Sequence, residues 1–411
     1  MTTTKKSQTE TSAKKPRTTK SAAKTIKTVA SSKKFYHCVL AIVFFAVAVI
    51  TAILLKPKDN IITEAYSVIH ETKFGGVYIK STISDFNGLG FKYGDSVNVE
   101  FSNGYKLEDI PYYNGYYVDI DEPLLIAYPG YDYIKAAVNY GDDLWETAKL
   151  TEKDTAIISL NKREKYLKIQ KASDLKYSDA QGSTPDTTFA NFRVVRAGNI
   201  KTGILFRSAS PVDNSHNRAA VVDRLIKDAG VKYIVNLSDS EEDLVTHINK
   251  SDFDSPYFLS LYNDKKVVAL DMTAQFKSKD FEQKLVKGLT AMANHSGPYL
   301  VHCVEGKDRT GYVMMIIEAL AGASYKQMVN DYMRTYEEYY NITKDTDKSR
   351  YETIKEKNID LMLYYVTGNS DTNDKENLAG IVDYDERVKS YLISLGMSEA
   401  SINQLINNLT K

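Results

Sequence analysis

Between Val301 and Gly311 the sequence reads VHCVEGKDRTG: a short apolar run ends at Cys303, and Arg309 follows six residues later, where a helical pattern begins. Backbone N–H groups turned inward at a helix start make a nest for an anion, and the helix dipole reinforces it. A phosphate group fits such a nest. The same positive field favours a thiolate, which makes Cys303 the candidate nucleophile. Arg309 can give two parallel N–H bonds to phosphate oxygens and stabilise the charge that shifts during transfer, a role lysine does not fill. Gly306 and Gly311 relieve crowding where the loop turns and meets its helix, and the Thr310 hydroxyl can bond the departing sulfur. His302 is expected to orient the loop. Val304, Glu305, Gly306, Lys307 and Gly311 are the candidate residues around the bound group. This chemistry calls for no metal and no organic cofactor.

These residues resemble the signature of the protein tyrosine and dual-specificity phosphatases, and HCVEGKDRTG is most similar to their bacterial and fungal tyrosine phosphatase branch. Asn191-Phe192-Arg193 and the block GILFRSAS, Gly203 to Ser210, resemble further markers of that branch, so the likeness runs from Asn191 to the end. It implies hydrolysis of a phosphomonoester through a phosphocysteine intermediate, with phosphotyrosine on a protein as substrate. An inositol phosphate or phosphoinositide is the alternative substrate. A surface receptor that binds phosphate with little turnover is the alternative of another class.

A general acid must protonate the leaving oxygen. Asp271 follows a predicted strand and lies 32 residues before Cys303, a separation like that of the mobile-loop acid in dual-specificity phosphatases, and this spacing favours it. Asp308, inside the loop, is the position that the branch's members are thought to use. Lys307 adds positive charge at the rim, while Glu305 opposes it and weakens attraction for polyphosphorylated groups. Asn236-Leu237-Ser238 departs from the branch's usual Asp-Leu-Arg.

The elements that must position this loop alternate. Apolar residues at helical spacing from Ala219 to Ala229, with Gly230 as the C′ residue, precede the strand-like VKYIVNL. Strands at Val267–Leu270 and Tyr299–Val301 and helices at Asp280–Asn294 and after Arg309 continue the pattern, and Ser324 with Gln327 opens another helix with a capping box. The expected fold class is α/β, a mostly parallel sheet flanked by helices, over residues 191–411. Ahead of it, residues 60–172 read as a β-rich domain, with hairpin signals at Asn103-Gly104 and Asn114-Gly115, and residues 173–190 as a linker. Leu124–Ala127 and Ile134–Asn139 resemble segments of the β-rich domain of the S-adenosylmethionine hydroxide adenosyltransferases, a likeness that carries no catalytic role here.

The amino-terminal residues 1–34 form a basic tail with the composition of a disordered segment. Residues 35–55 are apolar for about 20 residues, enough at 1.5 Å per residue to span a hydrocarbon core of about 30 Å. Ala46-Val47-Ala48 leaves a cleaved signal peptide as the alternative. Basic residues before the apolar run predict a cytoplasmic amino terminus and an extracytoplasmic catalytic part, as on a bacterial cell surface. Cys38 lies within the run, so Cys303 has no disulfide partner. Lysine plus arginine, 53, equals aspartate plus glutamate, 53, which gives no basis for a nucleic-acid partner.

Overall fold

Short β-branched and aromatic runs after residue 61 become seven strands: β1 (Tyr66–His70), β2 (Val77–Ile79), β3 (Ser96–Phe101), β4 (Lys106–Tyr113), β5 (Pro123–Ile126), β6 (Ile134–Val138) and β7 (Thr155–Lys162). The computed structural model describes residues 61–119, 121–368 and 377–411. The strands pair in the order β1-β2-β6-β5-β4-β3-β7, and β7 returns to β1, so the sheet closes into a barrel without a free edge. Asn103-Gly104 joins β3 to β4 as a hairpin, with Gly104 at φ 92°. Asn114-Gly115 does not make the second hairpin: β4 and β5 run parallel, and the chain between them crosses over. A Cβ at Gly115 would stand 2.5 Å from the far end of the Tyr117 ring, which would have to move aside.

Helix α1 (Leu167–Ser173) leaves the barrel and serves two cores. Ile169 packs with Tyr113, Leu124 and Ile126 of the barrel, whereas Ala172 belongs to the core of the carboxy-terminal part. Residues Ile62–Lys411 accordingly form one compact unit.

In the carboxy-terminal part, β8 (Arg193–Val194), β9 (Leu205–Ser208), β10 (Tyr233–Asn236), β11 (Val267–Ala269) and β12 (Tyr299–His302) form one sheet in the order β11-β10-β12-β9-β8. The pairings β11-β10, β10-β12 and β12-β9 are parallel, and β8 joins the edge antiparallel. Side chains alternate between faces: Tyr233, Val235, Tyr299 and Val301 enter one core, and Ile234, Phe206 and Leu300 enter the other. Helices α2 (Lys279–Ala293), α3 (Asp308–Leu320), α4 (Tyr325–Tyr340) and α5 (Lys348–Lys355) supply much of the surrounding mass. Every residue of α3 from Thr310 to Leu320 is buried, as expected of a helix apolar on all sides.

The expected fold class is corrected on three points. The β-rich part is a closed, mixed barrel, which depends on the pairing of β1 with β7 and is invisible to local turn signals. The carboxy-terminal part is predominantly helical, its strands being two to four residues long and its sheet mixed rather than the dominant layer. No helix among the described residues is long and apolar enough to cross a membrane. Residues 35–55, on which the expected transmembrane helix rested, lie outside the described residues, so the expected single-pass topology, membrane partner and extracytoplasmic placement are not carried further.

One buried ion cluster fixes β8 and β9 to α4. The Asp331 carboxylate accepts Arg193 Nε at 2.9 Å and also binds Arg207 Nη1, while Arg193 Nη2 donates to the Asp331 carbonyl at 2.7 Å. Burial raises the proton affinity of Asp331, but the two guanidinium groups outweigh it and hold the carboxyl far below its ordinary value. Removing one member of such a cluster leaves uncompensated buried charge. Asp331→Asn is expected to lower unfolding free energy by about 3–5 kcal/mol, measured by denaturant titration.

Candidate active site

β12 is the middle strand of its sheet and delivers the chain into the core at its carboxyl end, where Cys303 is 3% exposed. From there the loop turns back to start α3 at Asp308. The carbonyl groups of Val304, Glu305 and Gly306 are taken by donors outside the loop, and that of Lys307 by the helix that follows. Val304 O accepts Ser210 N at 3.0 Å, and Glu305 O accepts Asn191 Nδ2 at 3.1 Å and Tyr339 Oη at 3.2 Å. Gly306 O accepts Asn191 Nδ2 at 3.0 Å and Arg207 Nη2 at 2.8 Å, and Lys307 O accepts Gly311 N at 2.8 Å. The N–H groups from Val304 to Arg309, by contrast, have no acceptor among the described residues. A loop whose acceptors are bound and whose donors are free is an anion nest.

Gly306 makes this turn possible. It sits at φ 69°, and a Cβ would lie 2.3 Å from the Ser208 carbonyl oxygen. Gly311 is required for another reason, since a Cβ there would lie 2.5 Å from the Tyr332 ring and push α3 from α4.

The remaining expected residues fall into two groups. Arg309 Nη1 donates to the Met272 carbonyl at 2.9 Å, and its other N–H groups have no acceptor among the described residues. Thr310 Oγ1 and His302 Nε2 are buried without a hydrogen-bond partner. His302 Nδ1 faces the Cys303 carbonyl at 3.3 Å, and burial holds the imidazole down at about 4, so it is neutral near pH 7. Lys307 Nζ lies 3.0 Å from Glu305 Oε2 and 3.6 Å from Asp308 Oδ2. Burial works against the Lys307 charge, but the Asp308 and Glu305 carboxylates prevail and hold its ammonium well above the ordinary value.

The two candidate acids differ in setting. Asp308 stands at the start of α3, where Tyr336 Oη approaches its carboxylate at 3.5 Å. Asp271 is held by its backbone: Leu270 N, Asp271 N and Met272 N donate to the carbonyls of Asn236, Asp239 and Leu237. Its carboxylate is 63% exposed and lies 3.6 Å from Lys284 Nζ. The Asn236-Leu237-Ser238 departure thus has a local use, because Asn236 Nδ2 donates to Asp239 at 2.8 Å and closes the turn that carries these bonds.

Asn191 and Arg207, known from the sequence only as markers, hold the loop carbonyls, and Asp331, in α4, holds the arginines. Asp331 was legible only as a polar residue on the face of α4 shared by Met328, Tyr332 and Thr335, all buried. Among the described residues no group of His, Cys, Asp and Glu side chains is gathered as a metal site.

Two measurements follow from this geometry. Gly306→Ala is expected to abolish binding of vanadate or phosphate, read by calorimetry, while circular dichroism stays native, because the strain falls on the loop alone. Unfolded imidazole protonates near 6.5 but buried His302 only near 4, so in that window protons favour the unfolded chain. Stability from neutral His302 is present above pH 6.5 and is lost as pH falls, by up to about 1.4 kcal/mol per unit. Denaturant unfolding from pH 7 to 4 should show this slope, and His302→Gln should flatten it.

Among solved structures, an uncharacterized conserved protein from Thermotoga maritima matches at 20% identity with a TM-score of 0.20, over 25% of this chain and 37% of its own. No curated protein matches the chain. A family model described as the tyrosine phosphatase family matches residues 188–411, a span that begins just before Asn191 and takes in the Cys303 loop, α3, α4 and the final helices. As that match covers more than half of its length, the chain belongs to the tyrosine phosphatase family.

Proposed function

We propose that this phosphatase hydrolyses phosphotyrosine on proteins through a phosphocysteine intermediate. The observation that carries the reading is the loop around Cys303, whose carbonyls are bound outward and whose N–H groups from Val304 to Arg309 are free. Phosphate oxygens take those N–H groups and the unused N–H groups of Arg309. The Cys303 sulfur attacks phosphorus, forming an S–P bond as the bond to the leaving oxygen breaks and its electron pair departs with that oxygen. Asp308 gives the leaving oxygen its proton. Water then attacks phosphorus and loses a proton to the Asp308 carboxylate. The S–P bond breaks, its electron pair returns to sulfur, and phosphate leaves. The unpartnered Thr310 hydroxyl is available to donate to that sulfur.

Asp308 is favoured over Asp271 as the acid because it lies within the loop, while the Asp271 carboxylate turns toward Lys284 and its backbone is pinned on three sides. The phosphotyrosine reading is favoured over an inositol polyphosphate because Lys307, the loop's rim cation, is already paired with Glu305 at 3.0 Å.

Three variants test this with an aryl phosphate and a phosphotyrosyl peptide. Cys303→Ser is expected to reduce phosphate release more than 1,000-fold, and full activity in it would falsify the mechanism. Asp308→Asn should lower kcat by about 10²- to 10⁴-fold. Asp271→Asn should change it less than about fivefold, and the reverse ranking would move the acid to Asp271. A kcat/KM for an inositol phosphate above that for the peptide would reassign the substrate.

A further inference from the structure

The barrel does not end clear of the loop. A cleft of about 600 Å³ lies between them, with β4, the β4–β5 crossover and α1 on one side and Lys307, Asp308, Tyr336 and α5 with its following turn on the other. That volume belongs to a site for an extended ligand rather than a slot for one phosphate. The wall is fixed rather than loosely apposed. Tyr113 is buried, and the Tyr117 phenol, pushed up to about 12 mainly by burial, stands near enough for the Lys307 charge to act on it. Tyr166 Oη donates to the Asp109 carbonyl at 2.7 Å, and Gln170 Nε2 donates to Asn114 Oδ1 at 2.6 Å, so α1 holds the crossover in place.

The charge on the two sides is unequal. The barrel side carries Glu108, Asp109, Asp119 and Glu122. Asp109 is paired with Lys165, but Glu108, Asp119 and Glu122 are exposed and have no ion pair among the described residues. On the loop side Lys307 is occupied by Glu305 and Asp308, which leaves Lys357 as the exposed cation of the cleft. The exposed, unpaired charge of the cleft beside Lys307 and Asp308 is therefore mostly acidic. Such a surface attracts cationic groups beside the phosphate and repels further anions, most strongly at low ionic strength.

We propose that the acidic barrel wall selects phosphotyrosyl peptides with lysine or arginine beside the phosphotyrosine, through Glu108, Asp119 and Glu122. This rests on the phosphatase reading above and names its substrate class. The three carboxylates contact the flanking residues and not the phosphate, so their effect appears in the choice between peptides rather than in the chemistry of transfer.

The test uses the whole chain and two phosphotyrosyl peptides of equal length, one with lysine and arginine at the flanking positions and one with glutamate there. Their affinities for the Cys303→Ser protein are read by fluorescence anisotropy and their kcat/KM by phosphate release from the wild-type protein. The basic peptide is expected to be preferred at least tenfold at low salt, with the ratio falling as salt is raised. In the triple variant Glu108→Gln, Asp119→Asn, Glu122→Gln the ratio should fall to within about twofold of unity, and the single reversal Glu122→Lys should lower it in part. Circular dichroism and thermal melting establish that each variant is folded, and the salt dependence of the wild-type protein reads the same selection without any variant. Equal affinities, a preference that survives the triple variant, absence of binding by either peptide, or tighter binding of an inositol polyphosphate each overturns the proposal. Wild-type turnover of a plain aryl phosphate separates the two readings: its absence sinks the phosphatase mechanism, while turnover without a peptide preference sinks only the selection by the barrel.

Discussion

The Asp331 carboxylate, placed between Arg193 and Arg207, is the interaction on which the loop geometry depends. An anion nest needs its carbonyls turned away from the ligand, and a carbonyl turned into a protein interior needs a donor there. Arg207 and Asn191 are those donors for Gly306, and Asn191 is itself oriented through its Oδ1 by Arg193 Nη1 and Thr335 Oγ1. Two guanidinium groups cannot be buried without an anion. Glu318 is nearby, but burial and the negative charge of Asp331 push its carboxyl well above the ordinary range, which leaves Asp331 as the anion that the arginines bind. Arg193 and Arg207 thus share the Asp331 carboxylate, and Arg207 carries that pairing on to the Gly306 carbonyl.

The segments that carry the two candidate acids are held differently. A carboxylate that must give and take a proton needs nearness to the reacting atoms. Asp271 sits on a segment tied to the Asn236–Asp239 turn, and the Arg309 bond to Met272 O ties that segment to the loop as well. The Met272 carbonyl of that segment seats the arginine. Spacing along the chain places the Asp271 backbone but does not show that its carboxylate lies 3.6 Å from Lys284 Nζ.

Much of the carboxy-terminal part was readable because its signals are local. The apolar spacing of Ala219 to Ala229 ahead of Gly230, the Ser324–Gln327 capping box and the strand before Cys303 each need only neighbouring residues. The loop itself was legible because glycine, cysteine and arginine at fixed spacing have few other uses together. What escaped were contacts across long stretches of chain. Barrel closure joins β1 to β7, the parallel β4–β5 pairing overrides a hairpin signal at Asn114-Gly115, and Asp331 meets arginines more than a hundred residues upstream. Nor does composition reveal that an acidic surface of the barrel would stand beside the Lys307 rim.

Residues 173–190, after helix α1, read as a linker by their polar composition, yet Leu175 packs against the carboxy-terminal core, as Ala172 of α1 does, and Tyr177 stacks on Tyr339 with ring centroids 4.9 Å apart. Tyr339 in turn holds the Glu305 carbonyl, and Arg218 lies 4.5 Å from the Tyr177 ring. The change in composition therefore does not mark a seam. A protease or an engineer cutting at residue 190 would carry away part of the packing that supports the loop, and the catalytic part freed in this way would be a damaged protein rather than a smaller one.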